Sequence, residues 1–166
     1  MYVEIGCRVL LGVVLLAAAV GKVSGRAAYR EFTRSVRDLG FRPAGPLAAA
    51  VVSAEFTAVV LLAVLPLAGF LCAAGLLLAF TLAIVRNLRR DGATCRCFGR
   101  TAEPLGWHHV WRNAFLVGCA VAGVLAPVGP VRPAGAVLAV AAALVAAALV
   151  VMLDEVRDLF RPSRRA

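Results

Sequence analysis

Two long apolar runs constrain the fold of this chain more than any other feature. Residues 47–85 carry a single charge, Glu55, and residues 113–153 carry a single charge, Arg132. As one helix, either run would be about 60 Å long, roughly twice the hydrocarbon thickness of a bilayer. Each run must therefore fold back on itself. With 62% hydrophobic and 16% charged residues, a chain of 166 residues has too much apolar surface for a water-soluble globule.

Turn-forming residues divide these runs into membrane spans. Pro66 and Gly69 interrupt the first run, and the Pro- and Gly-containing segment 127–133 interrupts the second. A shorter N-terminal run supplies one more span, with a secretory signal peptide as the alternative. We predict one all-α domain over residues 1–166, a membrane bundle of four to five transmembrane helices. The predicted spans are about 5–23, 46–65, 67–86, 110–127 and 133–153.

The basic residues are distributed unevenly between the connections. Sixteen of the 18 lie in residues 22–42, in residues 86–112 and in the tail from Arg157, which alternating spans place on one face. The positive-inside rule predicts that these loops and the C-terminus are cytoplasmic in a bacterial cell membrane. A basic excess between apolar spans indicates a lipid bilayer as the partner and argues against nucleic acid.

The first basic loop has helical periodicity. Apolar residues recur at positions 29, 32, 36 and 39, and arginines recur at positions 26, 30, 34 and 37. This pattern predicts an interfacial amphipathic helix, with its apolar side toward lipid and its basic side toward anionic headgroups. A short solvated connector is the alternative.

The most reactive sequence element is Cys95-Arg96-Cys97, which precedes Phe98-Gly99 in a polar loop. A disulfide between thiols two residues apart is strained and hence easily reduced. Arg96 and Arg100 are positive neighbours that favour the thiolate, which is the reactive form. Cys95 and Cys97 are therefore a candidate redox pair, and two structural thiols are the alternative. The other three cysteines lie in apolar spans, where a thiol usually packs as a small apolar residue: Cys7, Cys72 and Cys119.

A metal site is the competing chemistry for the same loop. Cys95 and Cys97 with His108 and His109 would supply four ligands, but this spacing is not a usual zinc pattern. No metal is therefore predicted. The two histidines are expected at the membrane interface, within an aromatic belt formed by Trp107 and Trp111.

Glu55 is a carboxylate inside a predicted span. A charged group at that depth is costly and marks a functional hypothesis with a partner, for which Lys22 and Arg8 are the available cations. One interpretation is a buried ion pair that fixes the packing of the first two spans. The other is a role in handling a proton or a ligand.

Taken in chain order, these residues resemble the MauE family, which lies within the DoxX-like group of redox-associated membrane proteins. The resemblance covers about residues 5–125, and Cys95-x-Cys97-Phe98-Gly99 is its most specific element. The other matching residues are Arg8, Gly12, Gly21-Lys22, Phe32, Glu55 and Arg112-Asn113.

The resemblance implies a bundle of four or five spans that acts in methylamine utilisation. It suggests help in maturing a disulfide-rich amine dehydrogenase subunit, with Cys95 and Cys97 as the exchanging thiols. A thioredoxin-like protein or a disulfide-containing client is then the expected partner. A membrane quinone is the candidate electron acceptor, by similarity to quinone-coupled enzymes such as vitamin K epoxide reductase. Arg96 departs from the small residue expected at its position.

Two interpretations remain open at this point. The chain is either a thiol–disulfide oxidoreductase or a non-catalytic assembly factor whose Cys loop is structural or metal-binding. A disulfide-forming loop belongs in an oxidising compartment, whereas the charge distribution places this loop in the cytoplasm.

Overall fold

The computed structural model describes residues 1–91, 107–127, 129–130 and 132–159. In these ranges the chain forms helices and no strands, which confirms the predicted all-α fold. The helices are α1 (Tyr2–Val23), α2 (Arg26–Asp38), α3 (Ala44–Val64), α4 (Pro66–Asp91), α5 (Trp107–Leu125) and α6 (Pro133–Leu159).

Four helices form the centre of the molecule. α1 packs against α3 and α5, and α4 completes the bundle between those two helices. α1 and α3 run in opposite directions, since the Arg8 guanidinium near the start of α1 donates to the carbonyl oxygen of Ala63 near the end of α3. Phe70 of α4 meets Gly123 of α5, so those two helices are also antiparallel.

α6 lies outside this bundle and packs along α1. Tyr2 lies against Gly135, and Gly6 lies against the Ala139 carbonyl, so α1 and α6 run parallel. The bundle therefore has two distinct ends. The basic end contains the C-termini of α1, α4 and α6 with the start of α5, and the opposite end contains the starts of α1, α4 and α6.

Four of the six helices are long and apolar enough to cross a membrane. These segments are Tyr2–Val23, Ala44–Val64, Pro66–Leu88 and Pro133–Met152. Many of their outward side chains are apolar and exposed, as lipid contact requires: Leu82 is 69% and Leu138 is 71% exposed. α5, which corresponds to the predicted span 110–127, is not among these four. Its first two turns contain two histidines, an arginine and an asparagine, which reduce its mean hydropathy.

The turn between α3 and α4 is tighter than the sequence indicates. α3 ends at Val64, only Leu65 separates the two helices, and Pro66 begins α4 at a position where its missing N–H costs nothing. Gly69 is not a turn residue: it lies inside α4, against the backbone of Leu62 in α3. A side chain there would clash with that backbone, so this glycine permits close packing of the two helices.

The amphipathic helix exists as α2, but its apolar side faces protein. Val36 is buried against Ala44 and Ala48 at the start of α3, with Tyr29 and Phe32 packed beside it. The four arginines of the helix are exposed on the other side: Arg26, Arg30, Arg34 and Arg37. α3 therefore covers Val36, while Tyr29 and Phe32 are only half-buried on the same side. The position of α2 at a membrane interface stays a prediction.

Candidate functional site

An ion pair is buried near the basic end of the bundle. Lys22 Nζ, from the last turn of α1, lies 2.6 Å from Glu55 Oε1 in the middle of α3. The Glu55 side chain is 1% exposed, and the Lys22 side chain is 20% exposed. Of the two cations that the sequence offers, Lys22 is thus the one that contacts the carboxylate.

Aromatic rings surround the ammonium group of Lys22. The ring of Phe32 in α2 lies 5.3 Å from Nζ, and the ring of Phe80 in α4 lies 5.6 Å from it. Both distances are within the range in which a cation is attracted to a ring face. Nζ also lies 3.4 Å from the carbonyl oxygen of Ala18. Four helices therefore contribute to the surroundings of this one charge.

The carboxylate has unused hydrogen-bonding capacity. Glu55 Oε2 is buried and has no hydrogen-bond donor among the described residues. On α5, Asn113 is 3% exposed, and its Oδ1 likewise lacks a donor within the described part of the chain. Buried acceptors of this kind are uncommon in folded proteins. Glu55 can therefore accept a further hydrogen bond from a small donor, or a proton, at Oε2.

Arg8 belongs to a separate place on the bundle. It lies 14 residues before Lys22 on the same helix, which is about 21 Å along the helix axis. There its guanidinium bonds the Ala63 carbonyl and lies 3.9 Å from Glu4 Oε1. The predicted intramembrane polar set of Glu55, Lys22 and Arg8 thus divides into a buried pair and a distant arginine.

The predicted redox loop lies outside the described residues. This applies to Cys95 and Cys97 and to the flanking Arg96 and Arg100. The helices on either side of residues 92–106, α4 and α5, end and begin at the basic end of the bundle.

A thiol pair that the sequence analysis did not recognise lies in the bundle. Cys7 in α1 and Cys119 in α5 lie on neighbouring helices and pack against the same core. Both are free thiols, half-buried at the edge of the main core. The sequence feature that could have indicated this is the position of each cysteine in its helix: Cys7 is the sixth residue of α1, and Cys119 lies six residues before the end of α5. Antiparallel neighbours place such residues at the same level.

The start of α5 has the character of a membrane interface. Trp107 is 61% exposed and Trp111 is 72% exposed, as expected for an aromatic belt. The rings of His108 and His109 lie 3.9 Å apart between their centroids. In the described ranges, no three His, Cys, Asp or Glu side chains come together as metal ligands.

Comparison with known protein families identifies the family of this chain. The sequence pattern of the family described as "Methylamine utilisation protein MauE" matches residues 1–126. The chain belongs to the MauE family. It is a multi-pass membrane protein, and the part of the chain that the structure describes contains four candidate membrane helices. Comparisons with curated proteins and with solved structures gave no match.

The extent of the MauE match agrees with the architecture. It includes α1 to α5 and ends at residue 126, one residue after α5. The four-helix bundle, α2 and the Lys22–Glu55 pair are therefore all within the MauE-like part of the chain. α6 follows it and packs on its outside.

Proposed function

We propose that this MauE-family protein carries out thiol–disulfide exchange with a disulfide-containing client, using Cys95 and Cys97. The observation that carries the proposal is the position of Cys95-Arg96-Cys97 inside the family match, between α4 and α5. The family description suggests a client among the proteins of methylamine utilisation. An amine dehydrogenase subunit rich in disulfides is such a client.

The proposed exchange needs both oxidation states of the pair. A client thiolate attacks the Cys95–Cys97 disulfide and forms a mixed disulfide; a second client thiol then resolves it. The client gains one disulfide, and the loop is left with two thiols. Two electrons and two protons then pass to an oxidant, either a membrane quinone or an oxidised thioredoxin-like protein. The positive charges of Arg96 and Arg100 support the thiolate form in each step.

Labelling of intact cells tests the side of the membrane on which this chemistry occurs. After reduction with a membrane-impermeant phosphine, a membrane-impermeant maleimide should label Cys95 and Cys97 from outside, because a disulfide-forming loop belongs in an oxidising compartment. Labelling only after the cells are permeabilised would agree with the charge distribution instead. That result would exclude maturation of an exported client by this loop.

Trapping of the mixed disulfide tests the exchange itself. Cells expressing the wild type, Cys95→Ser or Cys97→Ser are quenched with acid, and the thiols are then tagged. One single-Ser variant should accumulate a disulfide-linked adduct with the client: its remaining thiolate attacks a client disulfide and displaces a client thiolate, and the second loop thiol that would release the adduct is missing. Cys72→Ser, in the apolar part of α4, is the matched control and should form no adduct. A wild-type loop that stays reduced under every oxidant, with no adduct in either variant, would leave the non-catalytic assembly factor as the function.

A further inference from the structure

We propose that a groove between the end of α1 and the start of α2 binds one anionic phospholipid of the surrounding bilayer. Two arginines of the groove hold the phosphate, and an apolar surface that continues along α1 holds an acyl chain. This inference is independent of the proposed thiol–disulfide exchange, because it concerns other residues and another ligand.

The groove combines apolar surface with positive charge. It is lined by Val23, Gly25, Arg26, Tyr29 and Arg30, and its volume is about 560 Å³. Most of the lining surface is apolar, the only charged groups in it are the two guanidinium groups, and it contains no acidic residue. The groove is open to its surroundings, as a site for a lipid that stays largely within the bilayer must be. Its chemistry therefore fits a ligand with an apolar part and a negative charge.

Contacts to α3 hold one wall of the groove in place. The Tyr29 ring packs beside the buried residues at the start of α3. The Tyr29 hydroxyl donates to the carbonyl oxygen of Gly45 at 3.4 Å. A wall that is fixed before the ligand arrives reduces the conformational entropy that is lost on binding.

The two arginines are available to a phosphate group. Both side chains are exposed, and neither forms an ion pair with a carboxylate in the described ranges of the chain. Arg26 and Arg30 are four residues apart, so they lie on the same face of α2. Arg30 Nε donates to the carbonyl oxygen of Arg26 at 3.2 Å, which brings the second guanidinium back toward the first turn of the helix. Guanidinium groups bind phosphate oxygens through charge-assisted hydrogen bonds.

An exposed apolar stripe leads from the groove into the bilayer. Leu16, Val20 and Val23 are all exposed, and their spacing of four and three residues places them on one face of α1. The stripe is about 10 Å long along the helix axis. Val23 belongs to both the stripe and the groove, so the apolar surface is continuous up to the two arginines. A phospholipid has its acyl chain and its phosphate in the same order.

The groove also lies at the depth of the lipid phosphates. Val23 is the last residue of the first candidate membrane helix, and headgroups begin where the hydrocarbon core ends. The exposed Trp107 and Trp111 have the character of a membrane interface at the same end of the bundle. A free phosphate ion would contact the arginines but not the apolar stripe, so a lipid is the occupant that uses both.

Native mass spectrometry of the full-length protein in detergent tests this binding. The probes are phosphatidylglycerol and phosphatidylcholine with the same acyl chains, which differ in net charge. An arginine near a lipid surface contributes roughly fivefold to the binding of an anionic lipid. Arg26→Gln with Arg30→Gln should therefore weaken phosphatidylglycerol binding roughly 25-fold and leave phosphatidylcholine binding unchanged. Equal affinity of the unsubstituted protein for the two lipids would overturn the proposal.

Arg34→Gln with Arg37→Gln is the matched control. It removes the same charge from exposed positions of the same helix, but neither residue lines the groove. The affinity for phosphatidylglycerol should then fall by less than about threefold, because salt screens charges that do not touch the ligand. Equal losses in the two double variants would indicate a general charge effect and overturn the proposal.

Photo-crosslinking of the unsubstituted protein locates the acyl chain. Phosphatidylglycerol with a diazirine midway along one acyl chain is incorporated into phosphatidylcholine nanodiscs that contain the protein, and the crosslinked peptides are identified by mass spectrometry. The crosslink that excess unlabelled phosphatidylglycerol removes should lie within residues 16–30. A competed crosslink elsewhere on the bundle would overturn the proposal. So would equally effective competition by glycerol 3-phosphate, which has the phosphate but no acyl chain.

Discussion

Removal of either member of the Lys22–Glu55 pair should destabilise the bundle, and by unequal amounts. Lys22→Met leaves a carboxylate that is 1% exposed without its ion-pair partner. Loss of one partner from a buried pair typically costs roughly 3–5 kcal/mol. Glu55→Gln should cost less, about 1–3 kcal/mol. In that variant Lys22 is still partly exposed, near two aromatic rings and the Ala18 carbonyl.

The double variant distinguishes a true pair from two independent residues. Lys22→Met with Glu55→Gln removes both charges together, a change that is often nearly neutral for buried pairs. The sum of the losses in unfolding free energy for the two single variants should therefore exceed the loss for the double variant by at least ~2 kcal/mol. Unfolding in mixed micelles of increasing SDS content, followed by tryptophan fluorescence, measures these free energies. Trp107 and Trp111 lie at the same end of the bundle as the pair.

Arg8→Met is the matched control for this double-mutant cycle. Arg8 is on the same helix as Lys22 but lies about 21 Å away along the axis, so its loss should add to that of Glu55→Gln without coupling. Free energies for Lys22 and Glu55 that add within about 0.5 kcal/mol would refute the reasoning. So would a larger effect of Glu55→Gln than of Lys22→Met.

Three further predictions concern packing. Gly69→Ala should lower the melting temperature in detergent, at a cost of about 1–3 kcal/mol in stability, because the added methyl group meets the Leu62 backbone. Gly75→Ala, on the same helix with open space around it, should leave the melting temperature unchanged. Val36→Asp should release α2 from α3 and speed tryptic cleavage within α2, whereas Ser35→Asp, at an exposed position, should leave cleavage unchanged. A chain ending at Pro130 should still insert and keep the Lys22–Glu55 coupling, since α6 packs on the outside of α1; aggregation would contradict this.

The helices were largely predictable because their length and composition are dictated by the bilayer. The expected end of the first span at residue 23 and the expected start of the last span at residue 133 coincide with the limits of α1 and α6, and the remaining limits differ by one to six residues. The polar start of α5 was harder to place. Its histidines and Arg112 lie at the interface side of a helix that packs in the bundle, so its composition alone does not mark it as a membrane span.

Contacts between helices were predictable only where chemistry limited the choices. A buried carboxylate needs a cation, and only Lys22 and Arg8 were available near it, so the pair could be proposed from the sequence. The decision between the two required the register of α1 against α3. The positions of Cys7 and Cys119 on neighbouring helices had no such chemical demand, since a thiol packs acceptably among apolar residues. The packing of α3 against the apolar side of α2 was also not evident from the sequence, because protein and lipid present similarly apolar surfaces.

The parallel packing of α6 on α1 has a topological consequence. α5 returns the chain to the end where α1 begins, so the MauE-like region starts and finishes at the same end of the bundle. α6 carries the chain back along the bundle and leaves it at the basic end. One additional helix, packed mainly on α1, thus reverses the end of the bundle at which the chain emerges. The helix changes an even number of spans into an odd number, while the internal packing of the four-helix unit is retained.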